Sequence, residues 1–141
     1  MATELSNNFV HLLAKKEIDF DADTFKVALM ASGFVFNKAT HDEYSDISTY
    51  ELADGSGYTT GGATLGGVSV SRDDVNNLCS ITWTNPSWTA DGASLTTPGA
   101  IIYDDTVTGK PVVGYEDFGG NQTTPDQSDL ILTNIEVQIA A

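Results

Sequence analysis

The chain has 141 residues and is strongly acidic, with twenty Asp and Glu side chains against six Lys and Arg and a net charge of −14. This charge disfavours nucleic acid and anionic membranes as partners, because both are themselves negatively charged. With 40% hydrophobic residues, the length suits one domain, residues 1–141, that buries a core of its own.

Cysteine usage and the N-terminal sequence bear on the cell compartment. The only cysteine is Cys79, which excludes an intrachain disulfide and is typical of a small buried apolar side chain. The chain begins without the basic and apolar segments of a signal peptide, and its apolar runs are shorter than a bilayer requires. We therefore expect a protein that is made in the cytoplasm and has no membrane partner.

The first predicted element is a helix. Leu5, Phe9, Leu12 and Leu13 occupy positions i, i+4, i+7 and i+8, which places them on one face. This spacing predicts a helix over about residues 3–16, inside an N-terminal segment that ends at residue 18. Its apolar face either covers one end of the core or contacts a partner, and the pattern fits both interpretations.

Strand patterns fill most of residues 19–141. Over 24–31 the apolar residues alternate, with Phe25, Val27 and Leu29 on one face. Similar runs are separated by glycine turns and by the Asp and Asn residues of 73–77, which favour a turn. The predicted strands are 24–31, 68–72, 78–84, 100–103, 111–118 and 130–139. This order predicts a mainly β protein, an antiparallel β-sandwich or jelly roll with one short N-terminal α-helix.

A long polar loop, residues 33–67, separates the first strand from the others. Tyr44, Tyr50 and Tyr58 supply apolar surface within it, and loops of this length are usually functional or packed by their own side chains. Its glycine-rich part, residues 55–67, indicates turns with positive φ and lacks the Lys-Ser/Thr pair of a phosphate-binding loop. The loop is therefore a candidate partner-binding element.

Residues that could support catalysis or hold a metal ion do not form a recognisable constellation. Asp19, Asp21 and Asp23 begin like a calcium loop, but Thr24 and Met30 stand where an EF-hand needs Gly and Glu. Another kind of calcium site and a plain solvated turn both stay open for these carboxylates. Two histidines cannot complete a closed zinc set. We predict a protein that is not an enzyme and has no catalytic residue, bound metal or cofactor.

Three aromatic residues offer a choice between binding and packing. A row of Trp83, Trp88 and Tyr103 on a β face would stack sugars or partner side chains, because ring faces bury much area at low entropic cost. Core packing is the commoner role of such residues, and we favour it here.

Four sequence motifs, taken in order, resemble a family of small virion structural proteins of tailed bacteriophages. They are Asp23-Thr-Phe-Lys-Val-Ala-Leu29, Gly57-Tyr-Thr-Thr-Gly-Gly-Ala-Thr-Leu65, Ala100-Ile-Ile-Tyr-Asp-Asp105 and Gly114-Tyr-Glu-Asp-Phe-Gly119. Each motif alone is weak, but the ordered set extends over nearly the whole chain. The resemblance implies a component of a phage particle, with a β-sandwich or jelly-roll fold and no enzymatic activity.

Within this family we expect a capsid decoration, or cement, protein on the exterior of the virion. Its partners would be the major capsid protein and other copies of itself, with a trimer favoured. The predicted partner-binding residues come from the helix and the long loop: Phe9, Leu12, Leu13, Tyr44, Tyr50 and Tyr58. The alternatives are a tail, neck or fibre-base component, and a carbohydrate-binding module on the particle surface.

Overall fold

The protein folds into antiparallel sheets in a computed structural model that describes residues 3–141. Ten strands and two short α-helices lie within these described residues. In chain order they are β1 (Glu4–Leu5), α1 (Asn7–Ala14), β2 (Phe25–Leu29), α2 (Tyr44–Ile47), β3 (Ala63–Thr64), β4 (Ser69–Asp73), β5 (Leu78–Thr82), β6 (Ser87–Thr89), β7 (Leu95–Asp104), β8 (Val112–Thr124), β9 (Asp129–Ile131) and β10 (Glu136–Ala140). The predicted mainly β, antiparallel fold is confirmed and is consistent with a β-sandwich.

The strands form one large sheet and two small ones. The central sheet has the order β1-β8-β7-β2-β3, the second sheet the order β10-β5-β4, and β6 pairs only with β9. The hairpin of β7 and β8 is the longest pairing, with Ile101 opposite Tyr115 and Ile102 opposite Gly114. Because successive side chains alternate between faces, this apolar hairpin supplies buried residues to both faces of the central sheet.

The main core lies between the central sheet and the second sheet. Val27 and Ile102 pack with Ile81 and Val137, all of them inaccessible to solvent. Helix α1 adds Phe9 to this core. A run of aromatic rings fills the region between the helix and the sheets: Phe9 to Phe20, Phe20 to Phe25, and Phe25 to Trp83. Buried rings of this size contribute much of the apolar area removed from water.

The long loop covers the opposite face of the central sheet. Its Phe34 and Ile47 pack on Met30, Ile101 and Val112 in a second buried cluster. Helix α2 and a 3-10 turn, Ser48–Tyr50, lie in this loop. The loop therefore forms a third layer, and its helix is an element that the sequence prediction of a single helix missed.

The glycine-rich part of the loop is needed where the backbone approaches the sheet. Gly62 has a φ of 75°, and a Cβ there would overlap the carbonyl of Val27. Gly66, in contrast, has open space where its Cβ would lie. Steric contacts therefore require glycine at only some of these positions. Gly62 is the position at which the absence of a side chain lets the loop pack against β2.

The predicted helix over 3–16 is wrong at both ends. Residues 4 and 5 form strand β1, because Leu5 pairs with Gly114 and the next N–H, that of Ser6, donates to the carbonyl of Val113 at 2.9 Å. The helix ends at Ala14, two residues before Lys16, whose φ is 62°. Helical spacing in the sequence did not reveal the pairing of β1 with the edge of β8.

The predicted strand over 130–139 is also wrong, since it is two strands in different sheets. Strand β9 pairs with β6, whereas β10 pairs with β5. Between them Asn134 has a φ of 56°, a left-handed conformation that no regular strand contains. Leu132 and Ile135 are both buried, so the break lets the chain leave one sheet and enter the other without exposing either side chain.

Candidate interaction surface

The predicted apolar face of α1 is largely used by the fold. Phe9 is buried in the main core, and Leu12 and Leu13 are half-buried against the same core. Val10 is the large apolar residue that this helix exposes, with 52% of its surface accessible to solvent. Of the two interpretations of the helix, covering one end of the core is therefore the correct one for Phe9. This side chain is fully buried and cannot contact a partner.

Tyr44 and Tyr58 anchor the long loop through one carboxylate. Glu51, which is buried, accepts hydrogen bonds from the Tyr58 hydroxyl at 2.6 Å, the Gly61 N–H at 2.7 Å and the Tyr44 hydroxyl. The Tyr58 oxygen also accepts the N–H of Leu29 at 3.0 Å. Tyr58 is buried. The two tyrosines therefore fix the loop to β2 from within.

Burial keeps these tyrosines in their protonated, donating form. It raises the pKa of Tyr44 and Tyr58 well above the usual value, and hydrogen bonding to Glu51 raises both further. Burial likewise raises the pKa of Tyr103, whose hydroxyl donates to the carbonyl of Gly61 at 2.6 Å. The result is a hydrogen-bonded network that holds the loop in one conformation.

Tyr50 belongs to a different group, which reaches the outside of the loop. We call Phe34, Val35, Phe36, His41, Tyr50 and Tyr115 the aromatic surface. Phe34 and Tyr115 form its buried base, with ring centroids 5.3 Å apart. His41 lies 5.5 Å from Phe34 by the same measure. Val35 and Tyr50 project from it, with 79% and 51% of their surfaces exposed.

An open cleft of about 610 Å³ adjoins the aromatic surface. Phe34, Phe36 and Tyr115 line it, together with the acidic residues Glu4 and Asp117. Exposed aromatic and apolar side chains beside a polar rim are typical of protein–protein contact sites, which are enriched in Tyr, Phe and Trp. This region is the best candidate for partner binding among the described residues.

Of the six predicted partner-binding residues, only Tyr50 lies in the aromatic surface. The prediction missed Phe34, Val35 and Phe36, although these three successive apolar residues follow Gly33 in an otherwise polar stretch and gave a usable signal. Tyr115 gave no such signal, because the sequence of its strand is typical of buried core residues. Its contact with Phe34 also joins residues that are far apart in the sequence.

The remaining predicted clusters have structural roles. Trp83, Trp88 and Tyr103 are buried, so the preference for core packing is confirmed and these rings present no face to a sugar. Asp19 and Asp23 close a turn, since the Asp19 N–H donates to the Asp23 carboxylate at 2.8 Å. Within residues 3–141 no three metal-ligating side chains come together.

Comparison with family models, with curated proteins and with solved structures found no match to this chain. None of the helices among the described residues has the length and apolar character needed to cross a membrane.

Proposed function

We propose that this chain is a non-enzymatic structural protein of a bacteriophage particle, a decoration protein that binds the outer surface of the capsid. The binding site is inferred from the aromatic surface, since Val35 and Tyr50 project to solvent from a loop whose Phe34 and Ile47 pack on the sheet. The four ordered motifs support the assignment to a virion.

The rigidity of the loop supports this role. Glu51, Tyr44 and Tyr58 hold the loop against β2 before any partner arrives. A preformed contact surface loses little conformational entropy on binding, so more of the contact energy appears as affinity. The aromatic surface therefore needs no refolding to dock on a capsid lattice.

The charge and the expected assembly also agree with the proposal. A net charge of −14 keeps a protein soluble at the high concentration that decorating a whole shell requires. The proposed partners are the major capsid protein and further copies of this chain, with a trimer as the expected state. An oligomer that touches several shell subunits at once gains avidity from modest single contacts.

Two measurements on particles of the encoding phage test the proposal. The first is the copy number of this chain per purified particle, by quantitative mass spectrometry against the shell protein. A number comparable with that of the shell subunit supports decoration. A copy number far below that of the shell protein rejects decoration and favours the alternative of a tail, neck or fibre-base component.

The second measurement compares two exposed valines in binding to particles that lack the protein. Val35→Asp places a charge in the aromatic surface, whereas Val75→Asp makes the same change in the β4–β5 turn, where Val75 is 88% exposed. We expect Val35→Asp to weaken co-sedimentation at least about tenfold and Val75→Asp to change it less than about twofold. Equal effects of the two variants would remove the aromatic surface from the proposal.

A further inference from the structure

A second cleft lies on the opposite side of the central sheet, between the end of β8 and residues 130–133. It is an open cleft of about 400 Å³, a volume within the range of small-ligand sites. Phe118, Leu130 and Leu132 give it apolar walls, and Gln122 and Thr133 bring an amide and a hydroxyl to it. Its chemistry is therefore that of a pocket with an apolar interior and a few polar groups.

The one charged side chain that lines this cleft is Glu116, on β8. It is 1% exposed, and its Oε1 atom has no hydrogen-bond partner among the described residues. The other buried glutamate, Glu51, accepts three hydrogen bonds. The backbone N–H of Glu136 does stabilise the charged carboxyl, but the unpartnered Oε1 leaves its burial only partly compensated, so a further hydrogen-bond donor would stabilise the charged form.

The nature of that donor follows from the lining. Neither Lys nor Arg lines the cleft, so no side chain that lines it supplies a cation. A calcium or magnesium ion needs several oxygen ligands, usually including more than one carboxylate, and no three Asp, Glu, His or Cys side chains come together among residues 3–141. An ammonium or guanidinium group on an apolar stem matches both features, because its N–H groups bond the carboxylate and its stem packs on the walls.

We propose that this cleft binds an organic cation, with an alkylammonium or alkylguanidinium head on Glu116 and its stem against Phe118 and Leu132. The ligand is either a small free amine or the Lys or Arg side chain of a bound protein, since both present the same chemistry. This site is separate from the aromatic surface and does not depend on the proposed capsid binding.

Calorimetric titration of the intact protein at about pH 8, where the carboxyl is largely ionised, provides the first test. The probes are n-butylguanidinium, n-butylammonium and N-butylurea, the last being a neutral analogue of the first in size and shape. We expect both cations to bind at least about tenfold more tightly than N-butylurea. Equal affinities for all three, or no measurable heat from either cation, would overturn the proposal.

Two variants locate the binding. Glu116→Gln removes the charge and is expected to weaken n-butylguanidinium binding at least about tenfold. Its matched control, Glu17→Gln, changes an exposed glutamate after α1 that pairs with Lys15 at 2.5 Å, and should leave the affinity within about twofold. Thr133→Phe keeps the carboxylate but fills the mouth, so it should also abolish binding. Retained affinity in both cleft variants would place the cation elsewhere and reject the site.

Two larger probes distinguish the sources of the ligand. The amides of Nα-acetyl-lysine and Nα-acetyl-arginine carry the same cationic heads on a peptide backbone. If they bind as tightly as the butyl probes, the cleft accepts a side chain of a protein partner. If only the butyl probes bind, the cleft is specific for a small free amine.

Discussion

At the scale of single residues, Glu116 should govern part of the response of stability to pH. Burial raises the pKa of its carboxyl from 4.5 to about 7, so the folded chain holds this proton more tightly than the unfolded chain does. Below about pH 4.5 the group is protonated in both states and costs nothing. Between about pH 4.5 and pH 7 only the unfolded chain ionises, so the free energy of unfolding falls, and above about pH 7 the carboxyl ionises in both states and the loss levels off.

We therefore expect Glu116→Gln to be more stable than the unchanged protein at pH 8, by about 3 kcal/mol, and to lose this advantage near pH 4.5. Urea unfolding at the two pH values, in buffer free of organic amines, measures the difference. Glu17→Gln is the control and should show no such trend. An advantage of Glu116→Gln that is equal at both pH values would mean that the carboxyl does not titrate as the burial implies.

Asp104 acts in the same direction through a second buried carboxyl. Burial raises its pKa to about 6, even though its Oδ1 atom accepts the N–H groups of Thr106 and Val107. Its contribution to stability is accordingly lost as pH rises through the range between its ordinary value and about 6. The Glu116 variants isolate one of these two groups, since Asp104 is unchanged in all of them.

At the scale of elements, the attachment of the long loop to β2 depends on the Tyr58 hydroxyl. Tyr58→Phe would leave the Leu29 N–H and one Glu51 oxygen with fewer partners inside the protein. An unmet buried donor and a weakened charged acceptor should lower the free energy of unfolding by about 2 kcal/mol or more.

Tyr50→Phe is the matched control for this prediction, because the Tyr50 ring is half exposed. It should change the free energy of unfolding by less than about 0.5 kcal/mol. Hydrogen exchange of the Leu29 and Gly61 amides supplies a local reading, and both should exchange faster in Tyr58→Phe alone. Equal stability of the two variants would show that the Glu51 network does not hold the loop.

Local pattern predicts best those strands whose alternating apolar residues mark a buried face, even when the strands they pair with are distant in sequence. Strand β2 was predicted as 24–31 and is observed at Phe25–Leu29, because alternation directly records one buried face. The strand over 130–139 failed at Asn134, where the chain moves from one sheet to another. That change depends on pairing with β5 and β6, which no window of sequence contains.

The interaction surface shows the same limit. Tyr50 was predicted from its place in a long loop, and it does project to solvent. Tyr58 sits in the same loop with the same side chain, yet it is buried on Glu51. The two differ only in what lies opposite them after folding, so the sequence offered no means of assigning one to the surface and the other to the network.

At the scale of the whole molecule, the net charge of −14 should make stability depend on salt. Five pairs of opposite charge lie within 4 Å among the described residues: Lys15–Glu17, Lys26–Asp105, Lys38–Glu4, Arg72–Asp74 and Lys110–Asp105. Most of the twenty acidic side chains therefore have no nearby cation. Folding brings these like charges closer together, and their mutual repulsion opposes the compact state.

Raising NaCl from about 10 mM to about 150 mM shortens the screening length from about 30 Å to about 8 Å. The exposed ion pairs lose little in this change, since each contributes only about 0 to 1 kcal/mol. Relief of the repulsion is the larger effect, so we expect the free energy of unfolding to rise by about 1 kcal/mol. Urea unfolding across this range of NaCl concentration measures the change in the free energy of unfolding.

Choline chloride at equal ionic strength should raise the free energy of unfolding by the same amount, because its bulky cation screens the charges without entering carboxylate sites. A gain with NaCl alone would point to bound sodium, and a loss with both salts would mean that the five ion pairs outweigh the repulsion.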